Sequence, residues 1–240
     1  MEEQPHALLL KFPGTNCDTE TARALEVAGF STEVLPISRV TEESLAPAKL
    51  VVLSGGFSYG DYVMAGRLAQ LETERKLGDA LTRFRDGGGY LLGICNGFQI
   101  LTKLGLLPDG SLIHNTSERF ICRWVKLCKK TNDSPFLKGL PDDFELPIAH
   151  AEGRFIAPGN APEEYLADGR VALTYASDVN GSSAAIAGLS DASGRVLGLM
   201  PHPERFLWKS NHYDPDWQSP EGEWGWGYYM FKSIYDTIAA

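Results

Sequence analysis

Residues 90–104 read YLLGICNGFQILTKL. Tyr90 to Ile94 is an apolar run of strand length, and Phe98, Ile100, Leu101 and Leu104 follow at helical spacing, so a strand passes into a helix without a spacer at Cys95. Gly93 and Gly97 bracket this cysteine in a G-x-C-x-G pattern, the thiol counterpart of the nucleophile elbow. A sharp strand-to-helix turn leaves no room for side chains on either side of its central residue. It also sets the sulfur at a helix N-terminus, where backbone N–H groups and the helix dipole favour thiolate over thiol.

Working outward, the same alternation of short apolar runs and helical segments recurs. ALLLKF at 7–12 is a strand that ends in the turn residues Pro13-Gly14-Thr15-Asn16, and Asp18 offers a cap for a helix over 19–28 that Gly29 ends. A second strand lies near Thr32 to Pro36, and LVVLS at 50–54 reads as a buried parallel strand stopping at Gly55-Gly56. Between Glu72 and Asp86, Leu77, Ala80, Leu81 and Phe84 share one helical face, and Gly87-Gly88-Gly89 breaks that helix. The second half holds strand-like segments at 120–128, 144–149, 171–175, 183–188 and 195–200, then a helix over about 224–238. The fold expected is α/β, a mostly parallel central sheet flanked by helices.

Composition narrows the function. With 22 Lys+Arg against 31 Asp+Glu the formal charge is −9, which excludes the basic footprint that nucleic acid requires. The sequence has no apolar run of membrane-spanning length, and MEEQPHALLL lacks the pattern of a signal peptide, so a cytoplasmic setting is expected. Four cysteines, Cys17, Cys95, Cys122 and Cys128, are too sparse for a disulfide scaffold. Cys122 and Cys128 match no common zinc spacing, so no metal site is expected and these two thiols read as buried or half-buried. There is no phosphate loop of the G-x-x-x-x-G-K-[ST] type and no G-x-G-x-x-G opening a helix after the first strand.

The elbow acquires partners downstream, where VLGLM runs into Pro201-His202-Pro203-Glu204. Pro203 biases His202 to an extended conformation, which puts residues i and i+2 on one side and Glu204 within reach of the imidazole. Cys95, His202 and Glu204 thus supply nucleophile, base and orienting carboxylate. His150 in AHAEGRF is the rival base, with a substrate-binding role or a structural hydrogen bond as its other readings. Attack on an acyl carbon creates an oxyanion, for which the Asn96 N–H and a backbone N–H from Gly56 or Phe57 are the expected donors.

These residues resemble the class I, triad-type glutamine amidotransferases, and within them the glutaminase subunits of phosphoribosylformylglycinamidine synthase. The likeness is carried by FPGTNCD at 12–18, GGFSYGDY at 55–62, GICNGFQILTKLGLLP at 93–108, RFICRWV at 119–125, HAEGRF at 150–155, NGS at 180–182, IAG at 186–188 and GLMPHPER at 198–205. Ser54 departs from the proline common before Gly-Gly, and Ala151 from the glycine of an HGEG-like segment. The resemblance implies a flavodoxin-like amidotransferase fold in one domain over 1–240. It implies Cys95 as nucleophile, His202 as general base and acid, Glu204 as its partner and Gln99 as a residue holding substrate glutamine. The reaction implied is hydrolysis of L-glutamine through a Cys thioester. Its ammonia would pass to a synthetase chain that makes formylglycinamidine ribonucleotide with ATP. No cofactor is implied in this chain; ATP and Mg belong to the synthetase, and a small accessory subunit is a further partner. A stand-alone γ-glutamyl or amide hydrolase is the alternative. The aromatic stretch 208–223 is an expected synthetase contact.

Overall fold

Leu8, Leu9 and Leu10 are fully buried on both faces of their strand, as a run of consecutive apolar residues demands of a parallel sheet covered on each side. The computed structural model describes residues 4–61, 64–131 and 134–240. Tyr62, the last residue of GGFSYGDY, lies outside the described residues.

The chain begins β1 (His6–Lys11), α1 (Asp18–Ala28), β2 (Ser31–Pro36), β3 (Leu50–Leu53), α2 (Arg67–Leu77), α3 (Ala80–Asp86), β4 (Tyr90–Ile94) and α4 (Asn96–Lys103). It continues β5 (Ser111–Ile113), β6 (Ile121–Lys129), β7 (Asp143–His150), β8 (Arg154–Ile156), α5 (Ala161–Ala167), β9 (Val171–Tyr175), β10 (Ile186–Ser190), β11 (Val196–Leu199) and α6 (Trp226–Ala239). Among the described residues the main sheet has nine strands in the order β2-β1-β3-β4-β11-β10-β9-β6-β7. The flavodoxin-like half, β2-β1-β3-β4-β11, is parallel throughout. From β11 onward every pairing is antiparallel, so the α/β fold holds but the sheet is mixed in equal parts.

In the parallel half Leu10 pairs with Leu53, Leu53 with Gly93, and Gly93 with Gly198, which brings four strand ends level. The chain leaves β1 for β2 on one side and returns to β3 on the other, so the crevice above β1 and β3 is a topological switch point, the usual ligand position in such sheets. Helix α4 packs on β3, β4 and β11, while α1 packs against α6. At Gly97 a Cβ would stand 1.8 Å from the Leu53 carbonyl oxygen, so only glycine lets α4 lie this close to β3.

Several local expectations are corrected. The helix expected between Glu72 and Asp86 is two, broken at Gly78, whose φ of 49° and ψ of −123° cannot continue a helix. Cys17, not Asp18, occupies the N-cap of α1, because the Asp18 carboxylate is drawn to Lys11 Nζ at 2.6 Å. The strand expected at 183–188 begins at Ile186; residues 183–185 form a 3-10 turn with Ala184 and Ala185 at positive φ. The small β5–β8 ladder and α5 are unanticipated. The stretch 208–227 folds inward: Trp217 meets Phe206 at 5.0 Å and Trp226 at 5.6 Å, and Trp224 stacks on Tyr228 at 3.9 Å. Only Tyr213, 63% exposed, stands out from it as a large hydrophobic on the surface. Among the described residues no helix is long and apolar enough to cross a membrane.

Candidate active site

The level strand ends deliver Cys17 after β1, Gly55-Gly56 after β3, Cys95 after β4 and His202 after β11. Cys95 has φ 53° and ψ −105°, a backbone state that costs about 1–3 kcal/mol for a residue with a Cβ. Its N–H donates to Leu199 O at 2.7 Å, locking the elbow to the neighbouring strand, and its Sγ faces Ala149 O at 3.7 Å. His202 is anchored by its own N–H to Pro147 O at 2.8 Å, and the residue is 1% exposed. Nδ1 meets Glu204 Oε1 at 2.6 Å, with Glu204 itself buried. The expected i, i+2 meeting occurs, although Glu204 arrives through a 3-10 turn over Pro203–Arg205 and not along extended chain.

Burial opposes charge on His202, but the Glu204 carboxylate and the Cys95 thiol outweigh it and hold the imidazole pKa well above its ordinary value. Nε2 has no hydrogen-bond partner among the described residues. A Cβ placed on Gly55 would stand 2.9 Å from His202 Cε1, 3.3 Å from Cys17 Sγ and 3.4 Å from Cys95 Cβ, so these three side chains converge over one glycine.

A cavity of about 400 Å³ opens above them. Of the residues expected from sequence, Cys95, Gly56, Phe57, Gln99, His150 and His202 line it. Asn96 and Glu204 stand behind. The Asn96 side chain donates to Gln99 Oε1 at 2.9 Å, and Gln99 Nε2 donates to Glu152 O at 2.5 Å, so the amide expected to hold substrate is already tied at both ends. Phe57 is corrected as an oxyanion donor, because its N–H is engaged by Gly14 O at 3.1 Å. Gly56 and the Asn96 N–H, the first of the helical donors that lack intrahelical acceptors, remain.

Residues that sequence reasoning passed over also gather here. Cys17, to which the sequence assigned no role, is buried against His202, and burial chiefly pushes its pKa up. Arg205 reaches Cys17 Sγ with Nη2 at 3.2 Å and Glu20 Oε1 with Nε at 3.1 Å. Asp61 lines the cavity with its pKa raised to about 6, mainly by desolvation. The signal was FPGTNCD, GGFSYGDY and PHPER, whose positions the resemblance spans. Cys122 is exposed at the cavity mouth, correcting its reading as a buried or half-buried thiol. Ligand-type atoms of Cys17, His202 and Glu204 lie within 4.8 Å of one another, but the 2.6 Å histidine–carboxylate bond already engages two of the three.

Residues 4–236 match the model of the CobB/CobQ-like glutamine amidotransferase domain. The phosphoribosylformylglycinamidine synthase subunit PurQ of Thermotoga maritima is 41% identical over 204 residues, 84% of this chain and 88% of the relative. The PurQ subunit of Roseobacter denitrificans is 39% identical over 98% of this chain and 99% of its own. The chain belongs to the PurQ family of glutamine amidotransferases. A chain in the structure of PurLQS from Thermotoga maritima superposes with TM-score 0.82 at 36% identity, covering 98% of this chain and 100% of that one. A glutamine amidotransferase from the same organism, 19% identical with TM-score 0.58 over 88% of this chain and 80% of that one, shares the fold. As a PurQ chain the protein is the glutaminase component of an ATP-dependent ligase system, phosphoribosylformylglycinamidine synthase, in purine biosynthesis.

Proposed function

We propose that this PurQ chain, acting as one amidotransferase domain over 1–240, hydrolyses L-glutamine with Cys95 as nucleophile, His202 as general base and acid and Glu204 as its orienting partner. The observation that carries this is the convergence of Cys95 and His202 over Gly55 at the floor of one cavity, with Glu204 fixed behind the imidazole. His202 takes the thiol proton and Cys95 Sγ bonds to the side-chain amide carbon, placing negative charge on its oxygen near the Gly56 and Asn96 N–H groups. Collapse breaks the C–N bond as His202 returns the proton to nitrogen, so ammonia leaves and a γ-glutamyl thioester remains. Water deprotonated by His202 then attacks the thioester, the C–S bond breaks, glutamate is released, and the departing sulfur takes the proton from His202 to restore the free thiol.

The ammonia passes to a synthetase chain, which holds ATP and Mg and aminates formylglycinamide ribonucleotide. The likeness to a chain of the PurLQS assembly supports this partnership, with a small accessory subunit as third component. The −9 charge and the absence of a long apolar helix among the described residues support a cytoplasmic partner of neither nucleic acid nor membrane.

The test is glutamate release from glutamine by the chain alone and with synthetase, ATP and formylglycinamide ribonucleotide, using Cys95→Ala as control. Strong stimulation by the mixture, lost in Cys95→Ala, is expected. Full activity alone with no response to the mixture would overturn the coupled reading in favour of a stand-alone amide hydrolase.

A further inference from the structure

We propose that the Nε2 lone pair of His150 accepts a hydrogen bond from the carboxamide nitrogen of bound glutamine and from the ammonia that nitrogen becomes. The proposal rests on the glutaminase reading above. It begins with the tautomer. Asn115 Nδ2 donates both its hydrogens, to Arg119 O and to His150 O, each at 2.9 Å. The amide orientation is thereby fixed, and Asn115 Oδ1, an acceptor only, faces His150 Nδ1 at 3.0 Å. Nδ1 therefore carries the proton, and in the neutral ring Nε2 is an acceptor.

That acceptor has no hydrogen-bond partner among the described residues, although His150 is only 3% exposed and is one of the residues lining the cavity. Buried polar atoms are nearly always paired, so one left unpaired in a residue that lines a cavity is matched to a donor that arrives with a ligand. The chain is shaped around this ring. A Cβ on Gly153 would stand 2.3 Å from His150 Nδ1, so the H-x-E-G spacing lets the backbone fold flat over the imidazole. The donor has to belong to the reacting end of the substrate. Ala149 O, one residue before His150, is the group that faces Cys95 Sγ, whereas the carboxylates of Asp61 and Glu152 line the same cavity and suit the α-ammonium instead.

Desolvation, and then the charge of His202, lower the His150 pKa to about 4. The two histidines consequently divide the work. His202 holds a proton readily and gives it to the departing nitrogen. His150 stays neutral, orients that nitrogen through its N–H, and has no Nε2 proton with which to convert ammonia to ammonium.

The test compares L-glutamine with L-glutamate γ-methyl ester, which keeps the α-ammonium but has no N–H at the reacting carbon, using the chain assembled with its synthetase. His150→Ala is expected to lower kcat for glutamine roughly 10- to 100-fold while changing ester turnover less than about 3-fold. An equal fall on both substrates, or no fall on glutamine, would overturn the assignment. Asn115→Asp supplies a second measurement independent of losing the ring. Its carboxylate can still accept the Nδ1–H bond, although the two bonds that Asn115 Nδ2 donates are lost, and it raises the ring pKa, so the acid side of the glutamine profile is expected to move up in pH by more than that of the ester profile. Superimposable wild-type and Asn115→Asp profiles would sink the proposal. No glutamate release by the wild-type assembly would remove the glutaminase reading and this proposal together; any adverse result with an active wild type removes this one alone.

Discussion

Gly55 and His202 are packed so closely that a single added methyl would stand 2.9 Å from His202 Cε1. Gly55 is not among the residues at positive φ, so alanine suits its backbone and the strain falls on the side chains above it, on the imidazole first and then on Cys17 Sγ at 3.3 Å and Cys95 Cβ at 3.4 Å. Gly55→Ala is therefore expected to fold with a melting temperature within a few degrees of wild type while losing at least about 100-fold in kcat, because a base displaced by a fraction of an ångström no longer meets the nucleophile. Measured stability and glutamate release would separate the two effects. Retained turnover would mean that His202 is not the base.

Glu204 touches Nδ1 of the same ring, and a carboxylate there fixes the tautomer and stabilises the imidazolium. Glu204→Gln keeps the shape but removes the charge that holds the His202 pKa up. The expected outcome is a fall of about 100- to 10,000-fold in kcat with little change in KM. A loss confined to KM would place Glu204 in substrate binding.

Two thiols compete for the name of nucleophile, since Cys17 is also buried against His202. Burial pushes the Cys17 pKa up, and its backbone, with φ −95° and ψ 7°, is an ordinary helix entrance, in contrast to the strained elbow at Cys95. A glutamine-derived chloroketone is accordingly expected to alkylate Cys95, with labelling kept in Cys17→Ala and lost in Cys95→Ala. Peptide mapping that finds the adduct on Cys17 would reverse the assignment.

Most of the parallel half of the sheet was legible because β1, β3, β4 and β11 carry continuous apolar runs; LVVL and YLLGI needed no tertiary information. The split at Gly78 was not, since Leu77, Ala80 and Leu81 keep one helical face across the break and periodicity sees only the face. Strand direction in the second half was also hidden, because β9 and β10 are as fully buried as the parallel strands and lack the alternation that marks an antiparallel sheet facing water. At the site, the covalent logic of Cys95, His202 and Glu204 lies within short motifs. The place of Cys17 beside His202 depends on β1 and β11 ending level, a long-range relation that spacing does not encode.

Gly97 tests the elbow from its structural side. Its ideal Cβ falls 1.8 Å from Leu53 O, and the obstacle is backbone, which cannot rotate away. Gly97→Ala should lift α4 off β3 and destabilise the fold by about 3 kcal/mol, or roughly 6–12 °C in melting temperature at this chain length. Thermal unfolding reads this directly, and an unchanged melting temperature would mean that α4 does not lie on β3 as described.

The neutral, buried His150 links stability to pH with a definite sign. As pH falls below the ordinary histidine value of 6.5, the unfolded chain binds a proton that the folded ring refuses until about 4. The unfolded state binds more protons throughout this window, so stability is lost on acidification, by about 2 kcal/mol at about pH 5 and about 3 kcal/mol once pH is below the folded value. Asp61, with its pKa raised to about 6 by desolvation, works in the opposite direction, since its folded carboxyl keeps a proton that the unfolded one gives up. The His150 contribution is isolated by measuring urea unfolding of wild type and His150→Gln at about pH 5 and about pH 7.5. Wild type should lose about 2 kcal/mol more than the variant between these conditions. Parallel losses would mean that the imidazole takes up its proton in the folded chain as readily as in the unfolded one, and the open Nε2 would then be a donor at acidic pH.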